Sequence, residues 1–246
     1  MAGYKLLIVD NSEDFPLALS ELMQKKYQVK YCLDGKEALS LLCSFQPDVL
    51  LLELAIPNLD GISLLHEAAA NGIHPLVITF TQSYNDYMID ALTRLDVSYW
   101  MVKPCDLHHT ARHIEELLAH RKNQQHHTAA LREQVETLLF SLGFIPKHHG
   151  LAYLQDAIVM EILNPDQPLT KLVYPAIGEK YNCSKETVEH SIRTAVHHAW
   201  ENGNHTVWSQ YFLPAADGNI PRPSNGAMIF CLVQHIRNLA NSQQSV

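Results

Sequence analysis

A chain of 246 residues accommodates two ordinary domains, and a composition of 47% hydrophobic against 18% charged residues excludes an intrinsically disordered protein. A formal net charge of -8 excludes a uniformly basic surface, so any contact with nucleic-acid phosphates has to come from a local patch. No apolar run approaches the roughly 20 residues that span a bilayer, and the start of the chain lacks the pattern of a signal peptide, so a cytoplasmic protein without a membrane partner is expected.

In chain order, Tyr4–Val9 (YKLLIV) reads as a strand buried on both faces and Gln28–Cys32 as an edge strand. Val49–Leu54, Leu76–Phe80 and Ser98–Val102 read as three further buried strands. Helical periodicity fills 14–26, 35–45, 61–71, 85–95 and 106–121. Five βα units in this order predict an α/β fold, a flavodoxin-like, doubly wound, five-stranded parallel sheet. Its ligand site lies at the carboxyl ends of the strands.

Those strand ends carry chemistry. Asp10 and Asn11 follow the first strand, Glu53 ends the third, Thr81 follows the fourth, and Lys103-Pro104 follows the fifth. A carboxylate after the first strand suits a magnesium ion, which prefers oxygen ligands. A hydroxyl and a lysine facing a central carboxylate suit the oxygens of a phosphoryl group. The plainer alternative is that polar residues simply begin loops.

Over residues 3–121 this pattern resembles the receiver domain of two-component response regulators. Its most specific stretch is PDVLLLELAIPNLDG (Pro47–Gly61), together with Thr81, Tyr99 and Lys103-Pro104. The resemblance implies a receiver pocket of Asp10, Asn11, Thr81 and Lys103, with Tyr99 as the aromatic that reports the state of the switch. It also implies a histidine kinase or phosphotransferase as partner. Two departures bear on mechanism. The position of the phospho-accepting aspartate is held by Glu53, and that of the second acid by Asn11. A glutamate keeps the charge but places it one methylene further out, and Asn11 removes a charge from the magnesium pocket. Only a weak or absent magnesium site on Asp10 and Glu53 is therefore expected, no other cofactor, and no ordinary phosphorylation. Glu53 either imitates a phosphorylated aspartate in part or inactivates the receiver.

The polar stretch NQQHHT reads as a short linker at 123–128, which separates a receiver at 1–122 from an effector domain at 129–246. From there the apolar residues keep helical period. Helices are predicted at 129–143, closing at Gly143, and at 150–163, 168–181, 184–201, 204–212 and 223–241. Helix 168–181, the tight Asn182-Cys183 connection and a helix capped by Ser184 form a candidate helix-turn-helix. Val188, Ile192, Ala195, Val196 and Ala199 make its inward stripe, which leaves Lys185, Glu186, Glu189, His190, Arg193 and Thr194 outward as candidate DNA contacts. An ordinary solvated helix face gives the same pattern.

The stretch from about Phe144 through Trp200, with HHGLAYLQDAI, LTKLVYPAIGEKYN and TVEHSIRTAVHHAW, resembles the effector domain of the stage-zero sporulation regulators of spore-forming Firmicutes. That resemblance implies an all-α, six-helix domain that binds double-stranded DNA at a TGTCGAA-like box as a tandem homodimer, with RNA polymerase as a further partner. Glu189 and Arg193 match residues that touch DNA in that family. His190 stands where the family has an arginine, so the bidentate contact to guanine is lost there.

Five scattered cysteines without CxxC spacing suggest neither disulfides nor zinc. The 15 histidines include four adjacent pairs, but neighbours in sequence point in different directions and do not chelate. No nucleophile, base and oxyanion set converges, and Ser12, Asp60 and His66 have no triad spacing, so no enzyme is expected. The leading expectation is a DNA-binding transcriptional response regulator with an atypical receiver. The alternative is an interaction protein that antagonises a true sporulation regulator or a kinase without productive DNA binding.

Overall fold

The computed structural model describes residues 3–214 and 219–243, with side chains as far as Leu239. The chain forms two compact units, residues 1–123 and 124–246.

In the first unit, strands β1 (Tyr4–Val9), β2 (Tyr27–Cys32), β3 (Val49–Glu53), β4 (Leu76–Thr81) and β5 (Tyr99–Val102) alternate with helices α1 (Asp14–Met23), α2 (Gly35–Phe45), α3 (Gly61–Ala70) and α4 (Asp86–Arg94). All four pairings are parallel and the strand order is β2-β1-β3-β4-β5. The doubly wound expectation therefore holds. Successive side chains of a strand face opposite sides, and the core divides accordingly. Leu7, Val9, Leu50 and Leu52 pack with Ala38, Leu42 and Leu64 on one side of the sheet. Leu6, Ile8, Leu51 and Ile78 pack with Leu19, Ile114 and Leu118 on the other.

One strand departs from its predicted environment. Ser98–Val102 reads as buried, but β5 closes the edge of the sheet and Tyr99, Trp100 and Val102 are exposed there. A short apolar run has the same pattern at an edge as in a core, and Tyr and Trp tolerate half-wet positions.

Helix α5 (Leu107–Ser141) is a single helix of 35 residues. Residues 123–128, expected as a linker between two helices, are thus helical, and the two compact units divide at Asn123 within that helix.

The second unit continues with α6 (His149–Leu163), a π-helical turn at Leu169–Val173, α7 (Tyr174–Lys180), α8 (Lys185–Asn202), α9 (His205–Trp208) and α10 (Asn225–Gln243). The predicted helix 168–181 is in fact two pieces, because Pro175 has no backbone N–H to continue the ladder and the turn before it widens. The predicted 204–212 shrinks to the one-turn α9, held by Trp208, whose indole N–H donates to Leu142 O at 2.9 Å from a fully buried ring. Gly143, at φ +92°, ends the run that began with α5; a Cβ there would lie 2.7 Å from Gly203 Cα.

A buried carboxylate ties three helices of this unit together. Asp156 on α6 pairs with Lys180 Nζ at 2.5 Å and, less well aligned for hydrogen bonding, with Arg132 of α5 at 2.5 Å. Burial pushes the Asp156 carboxyl up, but the hydrogen bond from Lys180 and the charge of Arg132 outweigh that and hold it below the ordinary aspartate range. A carboxyl depressed in the folded state stabilises above its unfolded pKa, and that stabilisation is lost as pH falls through the folded value. The melting temperature of the helical unit should therefore drop below about pH 4, and Asp156→Asn should flatten that drop. At pH 7 the variant should cost about 1–3 kcal/mol, less than a fully buried pair because both cations are partly solvated. Thermal melts across pH test this; equal acid sensitivity in the two proteins contradicts it.

Candidate functional site

The carboxyl ends of β1, β3, β4 and β5 bring the predicted polar residues to one place, because the two central strands end there under crossovers to opposite faces. Asp10 is fully buried, Glu53 is 2% exposed and Thr81 5%. Lys103, at the end of β5, holds the centre. Its ammonium lies 2.9 Å from both Asp10 carboxylate oxygens and 2.7 Å from Glu53 Oε2, over the face of Phe80. The second Glu53 oxygen, Oε1, accepts from Ala55 N at 3.0 Å. Ser12 N donates to Asp10 Oδ1, and the exposed Asn11 donates its side-chain amide to Ala55 O at 2.8 Å. Thr81 contributes its carbonyl to Lys103 N at 2.8 Å.

Burial pulls the Lys103 ammonium toward neutrality, but hydrogen bonds from it to Glu53 and Asp10 outweigh this and raise its pKa above the ordinary lysine value. Lys103 is therefore charged at any physiological pH, and one cation faces two carboxylates. Magnesium fits these residues poorly. The pocket offers two carboxylates already shared by an ammonium, and its third polar group, Asn11, brings no charge. Among the described residues there is no cluster of three or more His, Cys, Asp or Glu side chains arranged for a metal.

Tyr99 is not in the pocket; it lies half-exposed on the edge strand with its ring 4.9 Å from His113 of α5. Closer to the chemistry is a residue the sequence reading passed over. Tyr84, in the loop after β4, donates its hydroxyl to Met101 O at 3.0 Å and lies 3.3 Å from Thr79 Oγ1, and burial raises its pKa. It joins β4 to the exposed β5. Only its position three residues after Thr81 hinted at this.

The second cluster lies on α8. Ser184 caps the helix by accepting from Thr187 N at 3.2 Å, and Glu186 in the first turn favours the same end. Val188, Ile192, Ala195, Val196 and Ala199 are buried as predicted. Lys185, Glu186, His190, Arg193 and Thr194 are exposed, and Glu189 is half-buried. Asn182, in a left-handed conformation (φ 53°), makes the tight connection from α7. Arg193 is not free: its guanidinium is ion-paired with Glu189 one turn earlier. Arg222, from the segment before α10, lines one open cavity with Glu189 and Arg193.

Two family models match the chain, one for each unit. Residues 6–115 match the response regulator receiver domain, and residues 135–236 match the sporulation initiation factor Spo0A C terminal domain. Solved structures similar to the first unit include the N-terminal domain of an uncharacterized Wolinella succinogenes protein (24% identity, 50% of this chain and 99% of that one, TM-score 0.46). Others are the receiver domain of the Francisella response regulator 1452 (23%, 48% and 99%, 0.44) and the chemotaxis protein CheY4 of Vibrio cholerae (20%, 47% and 99%, 0.43). No helix among the described residues is long and apolar enough to cross a membrane.

Proposed function

We propose that this chain, a response regulator of the sporulation type that joins a receiver domain to a Spo0A C-terminal domain, regulates transcription by binding DNA while its receiver stays outside the ordinary phosphorylation cycle. The observation that carries the second half of this reading is the engagement of Glu53, whose two oxygens are held by Lys103 Nζ and Ala55 N. Phosphotransfer needs an acceptor oxygen free to attack and a metal to neutralise the incoming charge. Here the acceptor position carries a longer side chain that already meets the lysine, and magnesium would bind only weakly against it.

Asp10, Asn11, Thr81 and Lys103 form the receiver pocket in this reading. The exposed Tyr99 and Trp100 belong to the face through which a homodimer on DNA would pair. Lys185, Glu186, Glu189, His190, Arg193 and Thr194 face the DNA, with Glu189 accepting from a base amino group or orienting Arg193. A kinase or phosphotransferase and RNA polymerase are the protein partners of such a regulator, which works in the cytoplasm and has no enzymatic role of its own.

Incubation with acetyl phosphate and magnesium should leave the intact mass unchanged. A phosphoryl adduct on the wild type that disappears in Glu53→Gln would sink the atypical-receiver reading. DNA binding is tested separately, with the full chain because α5 runs through the division between the units. A folded protein that binds no duplex at low salt would instead leave the antagonist role.

A further inference from the structure

The outward face of α8 has a deficit that the DNA-binding reading must meet. Lys185 and Arg193 are balanced there by Glu186 and Glu189, and His190 adds no fixed charge. DNA affinity comes largely from cations set against phosphates, so a face with two bases and two acids needs another cation from elsewhere.

The fold delivers one. Arg193, Glu189, Thr170, Ser224 and Arg222 line one open cavity of about 410 Å3 between α8, the π-helical turn and the start of α10. Arg222 is placed there by anchors on both sides of it. Trp200 of α8 donates its indole N–H to Ile220 O at 3.3 Å, and Asn225 donates its amide to Glu189 O at 3.0 Å. The segment between Ile220 and Asn225 is thus fastened to the candidate reading helix at two points, with Arg222 between them.

We propose that Arg222 is a phosphate clamp, a DNA contact outside the reading helix that acts beside Arg193. The inference rests on the DNA-binding reading and adds a residue and a role to it. The two guanidiniums differ in their partners. Arg193 is committed to Glu189, which orients it for a base edge or a fixed phosphate. Arg222 has no carboxylate within ion-pair distance among the described residues and is exposed, so it takes a phosphodiester oxygen without breaking an existing pair. The hydroxyl-bearing Thr170 and Ser224 on the same wall are of the type that joins arginine in backbone contacts. With Arg222 counted, the surface around the cavity changes from neutral to net positive.

The test compares the full-length protein with Arg222→Gln and Arg222→Lys, binding two labelled duplexes of unrelated sequence over a range of salt. Arg222 sits on an exposed segment, and circular dichroism would establish that the variants fold. Arg222→Gln should weaken binding to both duplexes by the same factor, about tenfold, and lower the log–log salt slope by about one. Arg222→Lys should keep the slope. Unchanged affinity and slope in Arg222→Gln, or a loss confined to one sequence, overturns the clamp while leaving DNA binding in place. A wild type that binds neither duplex at low salt overturns the DNA-binding reading and the clamp with it.

Discussion

Gly150→Ala should destabilise the helical unit by about 3 kcal/mol or more, at or beyond the upper end of ordinary overpacking costs, and lower its melting temperature by about 10 °C or more. Gly150 lies in the first turn of α6, where that helix crosses α8. A Cβ there would fall 2.0 Å from Ser191 O and 2.9 Å from the Ala195 side chain. The 2.0 Å contact is with backbone in the middle of a long helix, so no side-chain rotation relieves it and the two helices have to separate. Separation loosens Leu151, Leu154, Ile158, Ile192 and Ala195, all part of one core. Because α8 carries the candidate DNA face, DNA affinity should fall along with stability. The melt is best followed by Trp208 fluorescence, since that fully buried indole reports on the helical core. A Gly150→Ala protein that melts with the wild type would mean that α6 and α8 do not approach as described.

Much of the fold was legible because the signals were local. The continuous apolar runs at β1, β3 and β4 are buried on both faces, and Ser184 caps α8 with its side chain. The failures came where tertiary context decides. The polar run NQQHHT has the composition of a linker, yet no Gly or Pro occurs between Pro104 and Gly143 to break a helix, and α5 runs through it. Period alone made one helix of 168–181, whereas Pro175 splits it.

The candidate sites follow the same division. Each residue of the receiver pocket stands directly at a strand end, so topology alone brings Asp10, Asn11, Glu53, Thr81 and Lys103 together. That Lys103 reaches both carboxylates at once is a matter of side-chain geometry and has no sequence signature. Arg222 was invisible for a different reason. It lies 29 positions after Arg193, in a segment with no periodicity, and is held to the reading helix by the Trp200 and Asn225 anchors.

On α8 itself, Arg193→Ala should weaken DNA binding by about 1–3 kcal/mol, with the loss at the upper end of that span. The substitution removes a cation and also releases the Glu189 carboxylate, which Arg193 now neutralises; an unpaired carboxylate facing phosphates adds repulsion to the lost contact. Relaxed preference at a single base position would identify base reading, and an equal loss on every sequence with a shallower salt slope would identify a phosphate contact. The companion variant acts in the opposite direction. His190 is exposed beside Glu189, and His190→Arg puts a fixed charge and a planar pair of donors where imidazole offers neither. If α8 docks in the major groove, the variant should bind a guanine-containing box about tenfold more tightly, the low end of the value of one bidentate contact. Arg193→Ala then separates the two roles of this face, because the gain from His190→Arg should persist without Arg193 if the two side chains touch different bases. A double variant that loses the whole gain would instead place both arginines on one contact. Wild-type affinity in both single variants would remove α8 from the DNA interface altogether.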